Sequence, residues 1–321
     1  MKLVVVTGCL GLIGNYVTKR CLEKGWKVCG VDSITYAANP DFLYEFREFN
    51  TLEEDNFTFV NQDICDLKFL PDCDYVINVA AESHVGNSII DSTDFLKSNI
   101  EGVRNLLDLI RRKPSNIANQ PVFFHFSTDE VYGDIEEGEF LETDLLNPSN
   151  PYSASKAAAD MLILAWARTY GIRYNIIRPT NNYGIGQYPE KLIPVSVKLL
   201  QRGKKIRLHN GGEPVRNWLH ADDTATAVIS IIESGQINEI YNVAGNLQQK
   251  NKDTVRKIIN IFHKNKYNWE EFVDLSYIRE GQDVRYALND DKLRELGWTN
   301  QRDFDEELPE LVEYYKQNFK W

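Results

Sequence analysis

The sequence predicts an α/β fold: a Rossmann-like, doubly wound parallel sheet with a smaller C-terminal α/β substrate lobe. Three observations predict it. Short apolar runs alternate with helical stretches through the first half of the chain, the first run ends in a glycine-rich turn, and beyond residue 179 the alternation gives way to proline-punctuated loops. Strand–helix alternation of this kind implies right-handed crossovers and a parallel sheet covered on both faces.

Taken in order, residues 3–7, 27–31, 58–61, 75–79 and 122–127 read as buried strands, and 174–178 as a sixth. Helical periodicity marks 13–24, 92–112 and 152–170 between them. Pro179, Pro189 and Pro194 then punctuate a loop-rich stretch, and Asn210-Gly211-Gly212 marks a turn. Residues 222–233 are helical again and 240–243 strand-like. This divides the chain into a cofactor domain, residues 1–178 with a returning segment at about 213–244, and a substrate lobe formed by 179–212 and 245–321. There is no internal repeat, low-complexity tract or flexible linker.

A chain of 321 residues with 43% hydrophobic and 26% charged residues buries a sizeable core. Its net charge of −11, without a basic run, argues against a general nucleic-acid binder, whose affinity comes largely from phosphate neutralisation. An anionic small molecule remains compatible, since a few local cations suffice. The five cysteines (Cys9, Cys21, Cys29, Cys65 and Cys73) form neither a Cys-x-x-Cys pair nor a zinc spacing, so we expect free thiols, no metal and a reducing compartment. The apolar opening segment is broken by glycines and leads into a helix, unlike a signal peptide. No stretch is long and apolar enough to span a bilayer. The expectation is a cytoplasmic enzyme.

The strand at 3–7 runs into Gly8-Cys9-Leu10-Gly11-Leu12-Ile13-Gly14 and then a helix. Glycines at this spacing permit a tight turn and close backbone approach, with the helix N-terminus facing a pyrophosphate. A turn that is glycine-rich only for packing is the alternative. The second strand ends in Asp32, where a carboxylate accepts bonds from ribose hydroxyls and repels a 2′-phosphate, which favours NAD over NADP. Asp63-Ile64 and Ala80-Ala81 follow the third and fourth strands, at the carboxyl ends where such sheets bind ligands.

Tyr152 and Lys156 stand four apart and share a helix face. A neighbouring ammonium and a cationic nicotinamide both favour phenolate, which suits a general base. An exposed helix pair is the bland alternative. Against it stands the preceding strand, which ends in Phe126-Ser127-Thr128 on the same side of the sheet.

The glycine motif, Asn78-Val79-Ala80-Ala81 and Tyr152-x-x-x-Lys156 occur in order, and on them the chain resembles the extended short-chain dehydrogenase/reductase family over nearly its whole length. The resemblance implies Tyr152 as base, Lys156 as anchor of the nicotinamide ribose, Thr128 as the group orienting a sugar hydroxyl, and Asn99 among the cofactor contacts. Ser127-Thr128-Asp129-Glu130-Val131-Tyr132-Gly133 is similar to the sugar-nucleotide 4,6-dehydratases within that family. There Tyr152 takes the C4 hydroxyl proton as hydride leaves, Glu130 removes the C5 proton, Asp129 protonates the departing C6 hydroxyl, and hydride returns to C6. Asp129 must then be protonated and Glu130 ionised.

The same resemblance places Asn181, Lys191, Leu192 and Arg216 on the substrate, Arg216 at its diphosphate, with Ser83 and His84 beside the hexose. Asn251, Arg279 and His209 fall at nucleotide-binding positions, His209 where a stacking tyrosine is usual. The chain departs from the family in Arg279-Glu280-Gly281-Gln282-Asp283 and in Gly86, which leaves dTDP-glucose and UDP-glucose both open as substrates of a deoxysugar-forming reaction. A nucleotide-sugar 4-epimerase and a non-catalytic NAD-binding protein are the competing readings. The family also implies a homodimer built from the helices at 96–110 and 157–170.

Overall fold

Residues 1–52, 54–113, 120–264, 267–279 and 283–318 are described in the computed structural model. Seven strands form the large sheet: β1 (Leu3–Thr7), β2 (Lys27–Asp32), β3 (Phe57–Asn61), β4 (Tyr75–Asn78), β5 (Val122–Phe126), β6 (Tyr174–Pro179) and β10 (Glu239–Val243). Their order is β10-β6-β5-β4-β1-β2-β3, with every pairing parallel. Alternation along β1 shows why both faces must be covered. Val4 and Val6 face a core made with α1 (Leu12–Glu23), α2 (Phe42–Arg47) and α8 (Ala221–Ser234), while Val5 faces one made with α5 (Val103–Arg111) and α6 (Pro151–Tyr170).

The helix expected at 92–112 is composite. After α3 (Val85–Ile90), α4 (Thr93–Leu96) passes through a π-helical stretch, Lys97–Gly102, into α5. Six residues are too few for apolar periodicity to separate a π turn from an α turn, which is why the sequence reads as continuous.

A second lobe is built on β7 (Asn181–Tyr183), β9 (Val215–His220) and β11 (Leu247–Lys250), ordered β11-β9-β7, with a short pair of β8 (Ile206–Arg207) and β12 (Val273–Asp274). Helices α7 (Leu192–Gln201), α9 (Asn251–His263) and α11 (Phe304–Gln317) pack around Trp218, Val255 and Leu311. The short α10 (Asp291–Arg294) lies beside β10. The segment 213–244 is therefore split. Its β9 belongs to the small sheet, whereas α8 packs against α1 and β10 completes the large sheet.

Among the described residues, no helix is long and apolar enough to cross a membrane and no cluster of three or more His, Cys, Asp or Glu is placed to hold a metal ion. All five cysteines are free.

Candidate active site

The carboxyl ends of β1, β2, β4 and β5 open on one cavity that continues to the second lobe. Its far end is shaped by Gly8 and Gly14. Gly8 has φ +67°, and a Cβ there would lie 2.6 Å from the Ala80 nitrogen; one on Gly14 would lie 1.9 Å from the Gly8 carbonyl. Only glycine allows this turn to fold against itself and the end of β4. Gly11 precedes α1 with no side-chain cap, so the first-turn amides around Leu12 and Ile13 face the cavity free to meet an anion.

Asp32 accepts from the Leu10 N–H (3.0 Å) and the Ile34 N–H (2.8 Å). Burial raises its pKa and these two bonds oppose the rise. Asp63, Ile64, Ala80 and Ala81 line the same end. These residues fit a dinucleotide: glycine-bounded amides for its pyrophosphate and a backbone-held carboxylate for a ribose. Asn99, expected among the contacts, holds the wall at Glu82. It is fully buried, with Oδ1 accepting from the Glu82 N–H (2.9 Å) and Nδ2 donating to the Glu82 carbonyl (3.0 Å) and Ser155 Oγ (2.9 Å). The π turn carries it inward.

At the other end stand Thr128, Asp129, Glu130, Tyr152 and Lys156, all in the cavity wall. Thr128 ends the chain's run out of β5 and caps a 3-10 turn, Asp129–Val131. Its hydroxyl donates to Asp129 Oδ1 (3.0 Å) and accepts from the Glu130 N–H (3.3 Å). The Asp129 Oδ2 atom is buried without a hydrogen-bond partner among the described residues. Burial, then the neighbouring Glu130 charge, pushes the Asp129 carboxyl up to about 7. Burial also raises Glu130, but Arg216, the Asn150 side chain and Arg279 oppose that rise. The two acids thus differ in their surroundings in the sense that one proton donor and one proton acceptor require.

Tyr152 and Lys156 sit on α6, whose start is firmly built. Pro151 occupies its first turn, and Asn150 and Ser153 form a capping box. Asn150 Nδ2 also donates to Glu130 Oε2 (3.3 Å), so one residue caps the helix and holds the acid. Ser88 Oγ accepts the Tyr152 N–H (3.2 Å), and Phe95 packs edge-on against the Tyr152 ring.

The electrostatics of the pair differ from the sequence expectation. Burial and then Glu130 push the Tyr152 phenol up, and the Thr128 side chain, not the Lys156 ammonium, provides the opposing hydrogen bond. Lys156 is itself pulled down to about 8 by burial, with Asp160 opposing. Helical spacing put the two residues on one face but carries no information on their desolvation.

Towards the second lobe, Ser83, Asn181 and Lys191 line the cavity. Lys191 Nζ donates to the Ser83 carbonyl (3.0 Å) and lies 3.7 Å from Glu190. The other expected substrate residues lie outside this cavity wall. His84 caps α3, its Nδ1 accepting the Asn87 N–H (3.1 Å). Leu192 opens α7, and Asn251 opens α9 with its Oδ1 buried and unpartnered among the described residues.

Arg216 is 8% exposed, so it is not the surface salt bridge its residue type suggests. Its guanidinium lies 4.7 Å from the Tyr286 ring and donates to the carbonyls of Val215 (2.7 Å) and Asp283 (3.4 Å). His209 meets Tyr277 edge-on, and burial, then Arg279, lowers its pKa. The Arg279 N–H donates to Asn210 Oδ1 (3.1 Å), and its Nε is buried without a partner among the described residues. Glu280, Gly281 and Gln282 of the departing motif lie outside the described residues. Sequence reasoning missed Asn150, although Asn-Pro before a helical run is a start signal. It also missed Tyr286 and Ser149, whose hydroxyls both bond the Asp283 carboxyl, and these carry no local signal.

Residues 5–311 match the GDP-mannose 4,6-dehydratase family. The chain belongs to that family. Among its 4,6-dehydratase relatives, the dTDP-glucose 4,6-dehydratase of Escherichia coli is 36% identical, over 99% of this chain and 94% of that protein. The crystal structure of DesIV, the dTDP-glucose 4,6-dehydratase of Streptomyces venezuelae with NAD and TYD bound, has a TM-score of 0.89 at 35% identity, covering 99% of this chain and 98% of that one. The Bacillus anthracis dTDP-glucose 4,6-dehydratase in complex with NAD has a TM-score of 0.84 at 32% identity, covering 100% of this chain and 98% of that one.

Proposed function

We propose that this chain is a dTDP-glucose 4,6-dehydratase that works with NAD and yields the 4-keto-6-deoxyglucose nucleotide, a step towards deoxysugars. The observation that carries the reading is the placement of Asp129 and Glu130, adjacent but differently surrounded, in the same cavity wall as Tyr152 and Lys156. A 4-epimerase has no task for an acid pair at C5 and C6.

Gly8, Gly11, Gly14 and the Leu12–Ile13 amides would hold the pyrophosphate, Asp32 the adenosine ribose, and Lys156 the nicotinamide ribose. NAD supplies a reversible hydride acceptor, so the C4 oxidation and the C6 reduction balance within one turnover. The chain's own groups move the protons. Tyr152, as its phenolate, takes the proton from the C4 hydroxyl. With a ketone at C4, the C5 proton becomes acidic and passes to Glu130. Asp129, protonated near neutrality, gives its proton to the C6 oxygen, which leaves as water. Glu130 then returns a proton to C5.

At the nucleotide end, Arg216 and Arg279 offer guanidinium forks to the diphosphate. Of the two bases left open by the sequence, thymidine is favoured by the substrate named for the E. coli and Streptomyces relatives. Incubating the protein with dTDP-glucose and, separately, UDP-glucose tests this. We expect loss of one water from dTDP-glucose with faster turnover than of UDP-glucose; recovery of the C4 epimer, or no turnover with NAD retained, rules the reading out.

The chain's organisation follows from the same reading. Residues 1–178 with α8 and β10 carry the cofactor, and 179–212 and 245–321 the sugar nucleotide. We place it in the cytoplasm, consistent with five unpaired cysteines. A homodimer is supported by the exposed apolar stripe of Ala154, Met161 and Ala165 on α6 beside exposed Leu96 on α4.

A further inference from the structure

Asp160 lies one helical turn beyond Lys156 on α6, is fully buried, and takes part in no step described above. Its Oδ2 accepts from Ser127 Oγ (3.0 Å), Arg178 Nε (3.1 Å) and a terminal Arg178 nitrogen (3.0 Å). Arg178, on β6, is 2% exposed. It also donates to the Tyr132 hydroxyl (2.6 Å), and its guanidinium lies 4.7 Å from the Tyr132 ring. The Tyr132 hydroxyl in turn donates to Asn242 Oδ1 (2.9 Å). Ser127 immediately precedes Thr128, and Tyr132 stands two residues after Glu130. One carboxylate on the helix of Tyr152 and Lys156 is therefore tied to both ends of the turn bearing Thr128, Asp129 and Glu130.

Stability does not account for such a pair. Desolvating two charges costs about as much as their attraction returns, and apolar replacements of similar volume are often neutral or better. Geometry does account for it, because the turn and the helix come from separate elements and need a fixed offset. Charge adds a second effect. Lys156 is faced by Asp160 on its own helix and by His125 on β5, and burial keeps His125 neutral by lowering its pKa well below the usual value. Asp160 in turn is faced by Lys156, Arg178 and Tyr132. Among the described residues, Asp160 is thus the one negative charge facing Lys156.

We infer that Asp160 is a positioning residue for the reaction proposed above: through Ser127 and Arg178 it holds the catalytic turn against the helix, and its negative charge supports the ammonium form of Lys156. The inference rests on the roles given to Tyr152, Lys156 and the acid pair, so its test includes a measurement that needs no turnover.

In Asp160→Asn, NMR titration of the Lys156 amine should move about one unit below its position near 8 in the parent protein. With dTDP-glucose, kcat should fall about tenfold or more, the alkaline limb of its pH profile should move down in step, and KM should stay within about twofold. Asp160→Asn leaves the Arg178 cation unpaired and is liable to misfold; the double variant Asp160→Asn/Arg178→Gln removes both charges and should show the same lysine shift. Ser127→Ala cuts the Ser127 arm of the tether without touching a charge, lowering kcat with Lys156 titrating as in the parent. An unmoved lysine titration in a folded Asp160 variant overturns the charge role, and an unchanged kcat in Ser127→Ala overturns the Ser127 arm of the tether. If the parent turns over neither nucleotide sugar, the dehydratase reading fails while the lysine titration still decides the charge role.

Discussion

Asp129 and Glu130 are neighbours in sequence yet differ in what surrounds them. Asp129 is buried with one oxygen unpartnered among the described residues, while Glu130 meets Asn150 and the field of two arginines. Replacing Glu130 with Gln should leave C4 oxidation running and stall elimination, so reduced nicotinamide absorbance builds up on adding dTDP-glucose while keto-deoxy product falls about 10²-fold or more. Asp129→Asn should slow water loss by a similar factor.

The pH dependence follows from the raised Asp129 pKa. Between the unfolded value of 3.8 and the folded value of about 7, the native state binds the extra proton, so stability is lost as pH rises through that window. Asp129→Asn should therefore raise the melting temperature at pH 8 and change it little at pH 4, read by calorimetry. The elimination rate of the parent should decline above about pH 7, as Asp129 loses its proton.

At the level of elements, α6 is where stability and chemistry meet. Its capping box and its hold on Glu130 both come from Asn150. Asn150→Ala should cost about 1 kcal/mol from the lost cap and also let the Glu130 pKa rise, moving the acid limb of activity to higher pH. Asn150→Ser keeps a capping oxygen but has no amide to donate, so it should melt near the parent temperature and still show the shifted limb. Comparing melting curves with pH–rate profiles of the two variants separates the roles. The large-sheet strands and the start of α1 were readable because continuous apolar runs and glycine spacing are local signals. The π turn at Lys97–Gly102 was not, since it presents the same apolar face as an α turn over so short a span.

Across the whole molecule, the face that we assign to a second copy lies directly behind Tyr152. Phe95 of α4 touches the Tyr152 ring, and Leu96, Ala154, Met161 and Ala165 are exposed on the outer side. Met161→Glu should convert a dimer in sedimentation velocity to a monomer and lower kcat, because the helices backing Tyr152 lose their cover. A parent protein that sediments as a monomer at micromolar concentration removes this assignment. The two-lobed plan also makes the cavity a boundary feature, with its second-lobe side built from β7 and the loop that follows it rather than from the large sheet alone.

The chain's linear order already specified the parallel sheet, the glycine turn, Asp32, and the Thr128–Asp129–Glu130 and Tyr152–Lys156 groupings, because each depends on residue types a few positions apart. Folding settled what depends on distant partners. Arg178 on β6 reaches Asp160 on α6, Arg216 turns to Asp283, Asn99 holds the wall at Glu82, and burial rather than Lys156 governs the Tyr152 phenol. Desolvation and long-range pairing are properties of the packed chain, and no local pattern of residues encodes them.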